Sequence, residues 1–256
     1  EKINSSDITF LCLPDDAARE ASAMVENEHV VVIDASTAHR TREGWTYGFP
    51  ELSAAARASI RKSRRIAVPG CHAGGFIALI RPLTDAGILD PAELLTCFSV
   101  TGYSGGGKSM IAEYENPNRD CALDAPRQYA LAQMHKHLPE MLKMAGLSLP
   151  PAFCPIVAGF YSGMTVTVPL HVSQLKGADA DEVKDIYAQK YTGEVVAFKE
   201  GTDTEGFIAA NAHSGKDSMH IYVSGNAERL LLIACYDNLG KGASGAAIQC
   251  MNIATG

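Results

Sequence analysis

With 256 residues, 46% of them hydrophobic and 20% charged, the chain can bury a real core as one large domain or two modest ones. Its net charge of −7 argues against nonspecific attraction to nucleic acid or to anionic membrane surfaces. No apolar run approaches the roughly 20 residues that span a bilayer, so neither a nucleic-acid nor a membrane partner is expected.

Residues 1–7 are polar and hold no signal-peptide core. Residues 8–13 read as a short apolar strand, after which Pro14 and Asp15 open an Ala-rich helix to about residue 26. A second strand at 30–33 ends on Asp34, a helix follows at 51–61, and a third strand occupies 65–68. Continuous apolar strands separated by helices imply parallel βαβ units covered on both faces. Ligands of such sheets bind beyond the carboxyl ends of the strands, here Leu13-Pro14, Asp34-Ala35-Ser36 and Pro69-Gly70-Cys71.

After Cys71 a long helix is expected at 74–87, and then the texture changes. Val/Thr-rich strands are expected at 94–101, 156–161, 164–172, 219–224 and 230–235, with a helix at 179–191 between them. Thr165-Val166-Thr167-Val168 alternates as a half-buried strand should. Residues 238–252 are Gly/Ala-rich and read as a helix after a loop. The fold class is therefore α/β: a partial Rossmann-like dinucleotide-binding domain (1–69 and 237–256) plus an α+β catalytic domain with a mixed sheet (70–236). No GxGxxG turn follows a strand near the N-terminus. The first domain is thus expected to be incomplete there, with a further segment preceding Glu1.

The seven cysteines, at 12, 71, 97, 121, 154, 235 and 250, form no CxxC pair and are odd in number. Cys12 and Cys235 fall within apolar strand-like runs. That usage reads as reduced, buried thiols of a cytoplasmic protein, with no disulfide framework and no metal site.

Cys71 is different. Val68-Pro69-Gly70-Cys71-His72-Ala73-Gly74-Gly75 places it in a tight turn between a strand and a helix. A helix N-terminus carries partial positive charge and unpaired N–H groups, which stabilise a thiolate and can receive an oxyanion. The residues alone leave a structural thiol and a nucleophile both open. His135-Lys136-His137-Leu138-Pro139-Glu140 offers two imidazoles able to move a proton near neutrality, with Pro139 marking a helix start and Glu140 its first turn. The same run is also compatible with a solvated loop.

These stretches, with Tyr47-Gly48-Phe49-Pro50-Glu51-Leu52, the GYSGGGKSM run from Gly102 and the segment 237–245, occur in an order that resembles the shorter bacterial N-acetyl-gamma-glutamyl-phosphate reductases. The resemblance runs along essentially the whole chain, starting inside that family's cofactor domain. It implies NADPH-dependent reduction of N-acetylglutamyl 5-phosphate to the 5-semialdehyde through a cysteine thioester, in arginine biosynthesis, by a homo-oligomer. On it, Cys71 is the nucleophile, His137 the acid/base and His135 a substrate contact. Arg40, Lys108 and Glu140 would bind the substrate, an acyl phosphate. Pro14, Ser36, Gly105, Gly106, Asn238 and Gly242 would lie against NADP. The usual tyrosine after the cysteine is replaced by His72.

Three other readings compete. Gly102-Tyr103-Ser104-Gly105-Gly106-Gly107-Lys108-Ser109 satisfies the phosphate-loop pattern of nucleotide hydrolases. Aspartate-semialdehyde dehydrogenases share the architecture and the thioester chemistry. A missing pyrophosphate turn would also suit a non-catalytic binding module.

Overall fold

A computed structural model describes residues 2–201 and 204–256, so Glu1, from which the N-terminal expectation was reckoned, lies outside the described residues. The chain divides into two compact units, residues 1–70 with 243–256, and residues 71–242.

The first unit is built on short parallel strands. β1 (Ile8–Leu11), α1 (Asp15–Ala23), β2 (Val31–Asp34), β3 (Thr46–Tyr47), α2 (Ala54–Lys62) and β4 (Arg65–Ala67) follow one another. The strands lie in the order β1-β2-β4-β3 and every pairing is parallel. All four residues of β2 are buried, because both faces of the sheet are covered. On one face Leu11, Val30 and Val32 pack with Ala21, Val25 and Trp45. The Ser53 hydroxyl caps α2 by accepting the Ala56 N–H at 3.0 Å.

The second unit holds α3 (Cys71–Asp85), β5 (Thr96–Gly102), α4 (Gly107–Glu115), β6 (Arg127–Gln128), α5 (Leu138–Met144), β7 (Ala152–Ala158), β8 (Met164–His171), α6 (Ala180–Lys190), β9 (Val196–Phe198), β10 (Met219–Gly225) and β11 (Arg229–Tyr236). Its mixed sheet runs β6-β7-β5-β8-β11-β10-β9. β5–β7 and β9–β10 are parallel pairs and the others antiparallel. α3 lies on the face that carries Val166, Val168, Leu232 and Ala234, and is buried continuously from His72 to Ile80.

Pro82 interrupts α3 without ending it. A proline has no N–H to give the carbonyl four residues back, and the Tyr191 hydroxyl donates to that carbonyl, Ala78 O, at 2.6 Å. The Tyr187 hydroxyl donates to the next carbonyl, Leu79 O, at 2.5 Å.

The chain then returns to the first unit as α7 (Gly245–Thr255). Ala246, Ala247, Cys250 and Ile253 close its second face against Ile33, Ile60, Ile66 and Val68. Gly48 has to be glycine there, since a Cβ would lie 2.8 Å from the Cys250 sulfur.

Several expectations need correction. The division falls after 242, not after 236, because Asp237 and Asn238 are hydrogen-bonded to Ser162, Gly163 and Ser104 of the second unit. The strand expected at 156–161 is Ala152–Ala158, since Gly163, at φ 111°, belongs to the turn that leads back into β8. α3 starts at Cys71, not at 74. Cys12, expected inside a strand, lies just past β1 and is exposed. All seven cysteines are free. Among the described residues no helix is long and apolar enough to cross a membrane.

Candidate active site

Cys71 is the first residue of α3 and is partly exposed, so its thiol stands on a turn whose backbone N–H groups and dipole favour a thiolate. No acidic residue occupies that turn. Strand β11 braces it: the Gly75 N–H donates to the Tyr236 hydroxyl at 3.0 Å, and that hydroxyl donates to the Cys71 carbonyl. Gly242 comes up beside Cys71, where a Cβ would be 3.1 Å from the Cys71 Cβ and 3.0 Å from the Asp237 carbonyl.

His72 organises the other flank. Its Nδ1 meets Ser99 Oγ at 2.7 Å and its Nε2 the Tyr129 hydroxyl at 2.7 Å. The rings of His135 and His137 lie 5.8 and 5.6 Å from it, and 4.7 Å from each other. Phe153 backs both His72 and His135, at 5.4 and 5.1 Å. Thus the two histidines singled out in the sequence are brought together around the residue that follows Cys71. His137 is buried at the N-cap of α5, and its backbone N–H donates to His135 Nδ1 at 3.2 Å. That contact makes Nδ1 an acceptor, so a neutral His135 carries its proton on Nε2. Glu140 is buried in the first turn of α5.

Asn238 ties the glycine loop into the same unit. Its Nδ2 donates to Ser104 Oγ at 2.9 Å and its Oδ1 accepts the Gly163 N–H at 2.8 Å. A Cβ on Gly105 would lie 3.4 Å from that Nδ2, and Gly106 and Lys108 are exposed at the start of α4. The first half of the phosphate-loop motif offers no free donors to a phosphate. A nucleotide cradle needs free backbone donors, yet the N–H groups of Gly102, Tyr103 and Ser104 donate to the carbonyls of Gly163, Phe160 and Tyr161 at 3.0, 2.9 and 3.0 Å.

In the first unit, Pro14 is exposed as the N-cap of α1. The Ser36 hydroxyl donates to Asp34 at 2.7 Å and accepts the Ala38 N–H at 3.1 Å. Asp34 also bonds His39 Nδ1 at 2.6 Å, so this strand end is internally braced. Arg40 is buried, with Nε on the Val68 carbonyl at 2.8 Å and Nη2 on the Ala35 carbonyl at 3.0 Å. Its fork holds two strand ends of the sheet, a use that the residue type alone does not reveal. Among the described residues no group of three or more His, Cys, Asp or Glu is placed to hold a metal ion.

Residues 71–238 match the semialdehyde dehydrogenase dimerisation domain, and residues 1–60 match the semialdehyde dehydrogenase NAD-binding domain. The chain belongs to the semialdehyde dehydrogenase family. Within that family its similarity is to N-acetyl-gamma-glutamyl-phosphate reductases: 42% identity to one from Nostoc sp. over 99% of this chain and 83% of that protein. A Rhizobium etli reductase is 44% identical over 99% of this chain and 84% of its own length, and one from Sinorhizobium medicae 45% over 98% and 84%. Among solved folds, aspartate semialdehyde dehydrogenase II from Vibrio cholerae superposes with a TM-score of 0.76 at 19% identity, covering 98% of this chain and 80% of that one. The Candida albicans aspartate semialdehyde dehydrogenase with NADP gives 0.69 at 15%, covering 97% and 77%. The semialdehyde dehydrogenase fold of both units, and an enzyme of this family, are thereby established.

Tyr129, Ser99, His72 and Tyr236 were absent from the sequence-derived site. The only sign of any of them was His72 itself, standing where the family resemblance leads one to expect tyrosine.

Proposed function

We propose that this enzyme reduces N-acetylglutamyl 5-phosphate to N-acetylglutamate 5-semialdehyde with NADPH, through a thioester on Cys71, as a cytoplasmic step of arginine biosynthesis. The observation that carries the reading is the placement of Cys71 at the first residue of α3, followed by an imidazole packed against His135 and His137.

The thiolate of Cys71 attacks the acyl carbon, forming a C–S bond as phosphate leaves with the electrons of the broken C–O bond. A bound reduced nicotinamide supplies hydride. The hemithioacetal on Cys71 then loses its hydroxyl proton, expels the thiolate and releases the aldehyde. His137 is assigned the proton transfers and His135, through Nε2–H, a hydrogen bond to the substrate. Gly242 keeps the space beside Cys71 open for the acyl group. Lys108 and Glu140 are assigned to the substrate's charged and polar ends. Arg40 is assigned to the substrate, and its Nε and Nη2 also bond the Val68 and Ala35 carbonyls.

The described residues fit one part of a dinucleotide. The carboxyl ends of β1, β2 and β4 leave loops 12–14, 35–40 and 68–70 on the edge where such cofactors lie. Pro14 and Ser36 are assigned there, and Gly105, Gly106, Asn238 and Gly242 are assigned to the cofactor from the second unit. The N-terminus of α1 carries Asp15 and Asp16 in its first turn, charges that repel a pyrophosphate. No residue of this chain is assigned to that group.

A second copy of the chain is the proposed partner of the open sheet face. Opposite α3, cross-strand rows run Cys154-Phe98-Thr167-Ile233-Tyr222 and Pro169-Leu231-Ser224, with Phe98 and Leu231 44% and 42% exposed. An apolar sheet face of this extent in a dimerisation-type domain suits an isologous dimer.

The test is the reverse assay: N-acetylglutamate semialdehyde, phosphate and NADP⁺, following NADPH, with Cys71→Ser as control. Phosphate-dependent signal is expected from the wild type and none from the variant. Turnover only with aspartate semialdehyde would move the enzyme to the sister reaction, and full turnover by Cys71→Ser would sink the mechanism.

A further inference from the structure

β6 is only two residues long, Arg127–Gln128, so it covers a small part of β7 and leaves the rest of that strand as an edge of the sheet. The pairing Arg127↔Val157 and Gln128↔Ile156 is antiparallel, and the Tyr129 N–H extends it by donating to the Pro155 carbonyl at 3.1 Å. Continued in that register, Leu131 would face Phe153. It does not. Ala130 turns the chain away at φ 53°, and Leu131 stands 74% exposed. The turn closes at Gln133, φ 56°, whose N–H donates to the Ala130 carbonyl at 3.0 Å.

The place left open on Phe153 is taken by a side chain. Gln133 Nε2 donates to the Phe153 carbonyl at 2.7 Å, and the Phe153 N–H donates to Gln133 Oε1 at 2.9 Å. A primary amide, with its donor and acceptor side by side, thus reproduces the two bonds that an antiparallel neighbour would exchange with this residue. Two left-handed residues other than glycine in one tight turn are unfavourable, and such backbone persists only where its surroundings hold it. Apolar burial contributes little here, because Leu131, Ala132 and Met134 are all exposed. The amide does the holding.

Two residues further on stands His135. Its ring packs on that same Phe153, at 5.1 Å, as well as on His72 at 5.8 Å and His137 at 4.7 Å. On its C-terminal side the start of α5 fixes it: the His137 N–H donates to its Nδ1 at 3.2 Å and the Leu138 N–H to its carbonyl at 3.0 Å. On its N-terminal side Gln133 ties the chain to the strand edge.

We propose that Gln133 is a positioning residue for the reaction: its amide, acting as a substitute strand on Phe153, sets where the His135 ring stands and keeps the ring's Nε2–H aimed at the substrate. The inference deepens the reading of His135 as a substrate contact and rests on it. Phe153 joins the two roles, since its backbone receives the amide while its ring backs the imidazole.

Gln133→Met keeps the length of the side chain and removes both bonds, and the exposure of residue 133 leaves the core untouched. It is expected to lower kcat/KM of the reductase about tenfold. In a His135→Asn background the same substitution is expected to cost nothing further, because its effect runs through that ring. Equal losses in the two backgrounds overturn the proposal, as does a wild-type kcat/KM in Gln133→Met. The ring ¹⁵N spectrum of His135 needs no turnover. It is expected to show Nε2 protonated and Nδ1 bare in the wild type, and a mixture of the two tautomers in Gln133→Met. An unmoved spectrum overturns the positioning, whereas a silent reductase assay with a moved spectrum overturns the reaction alone. The pH midpoint of iodoacetamide alkylation, read at the Cys71 peptide by mass spectrometry, is expected to stay at the wild-type value, since both bonds of Gln133 go to Phe153. A shifted midpoint would mean general damage to the site and overturns the assignment to His135.

Discussion

The hydroxyl oxygen of Tyr236 lies 3.0 Å from the amide nitrogen of Gly75 and gives its own proton to the carbonyl of Cys71. Cys71 and Gly75 are an i, i+4 pair, the two groups that would bond each other in an undisturbed helix. A side chain from β11 therefore stands in the first turn of α3, and the Cys71 peptide is held by the sheet as well as by its helix. Glycine at 75 is the condition for this, because a Cβ would lie 2.5 Å from the hydroxyl and 2.8 Å from Val166 Cγ2.

Tyr236→Phe should therefore separate activity from stability. Without the hydroxyl the Cys71 carbonyl and the Gly75 N–H can close on each other, so the fold should lose only about 1 kcal/mol. The sulfur moves with its turn, and kcat should fall about tenfold at nearly constant KM, because a small misplacement of reacting atoms is costly. Gly75→Ala should do the opposite and destabilise by about 1–3 kcal/mol through overpacking. Urea unfolding and steady-state kinetics on both variants check the pair; equal kcat in Tyr236→Phe and wild type would show that the hydroxyl serves folding alone.

Gly242→Ala probes the space beside Cys71, the proposed nucleophile. The added methyl would stand 3.1 Å from the Cys71 Cβ and 3.0 Å from the Asp237 carbonyl, tighter than ordinary contact. We expect slower acylation of Cys71 by acyl phosphate, about tenfold or more, with a smaller change in thermal midpoint. Burst kinetics resolve the acylation step. A full-sized, full-speed burst would place the acyl group elsewhere.

Asp237 should act as a structural hub. Its carboxylate accepts from Ser162 Oγ at 3.0 Å, from Leu239 N–H at 2.7 Å and from Gly215 N–H, all in the second unit. Asp237→Asn turns an amide NH₂ towards donors and removes the charge, and is expected to cost about 2–4 kcal/mol. Loss of stability without a change in the Cys71 alkylation midpoint is the expected signature, and a destabilisation under 0.5 kcal/mol would refute it.

These predictions also mark how far the sequence could be read. Val30 to Ile33 announces a strand buried on both faces because its side chains are apolar without alternation, and the structure covers both faces. The turn at Pro69-Gly70-Cys71 was legible because strand-to-helix chemistry is local. Tyr129, Ser99 and Tyr236 were not, since their partners stand 57, 27 and 165 residues away and no local pattern encodes such pairs. Arg40 was half legible: an arginine on a loop beside a site suggests an anion, and only the fold shows its Nε and Nη2 on two backbone carbonyls. The short strands β3, β6 and β9 escaped notice because two or three residues carry no periodicity.

Acid should unfold the protein early, and the sign follows from two histidines. Burial pushes His72 down to about 3 and His213 down to about 4, with the charges of His135 on the first and of His220 and Lys216 on the second adding to the effect. In the unfolded chain both sit near 6.5. Between those limits the unfolded state binds the extra proton, so stability is full above about pH 6.5 and declines as pH falls towards 4. For fully buried His72 the decline approaches about 1.4 kcal/mol per pH unit. His72→Gln keeps both hydrogen bonds and cannot titrate, so its unfolding free energy should depend less steeply on pH between 6 and 4. Parallel slopes in the two proteins would show that His72 takes up its proton without unfolding.

Pro82 and Tyr191 should be energetically coupled. The proline leaves Ala78 O without its helical donor, and the Tyr191 hydroxyl supplies one at 2.6 Å from 113 residues away. Tyr191→Phe alone should leave that carbonyl unpaired in the core, at a cost of about 1–3 kcal/mol. Pro82→Ala restores a backbone N–H that can reach the same carbonyl, so Tyr191→Phe should cost clearly less in that background. A double-mutant cycle measured by urea unfolding gives the coupling directly, expected at about 1 kcal/mol. Additivity would mean that the tyrosine is kept for its ring, packed on Tyr187 at 6.1 Å, and that the carbonyl finds another donor when the hydroxyl is gone.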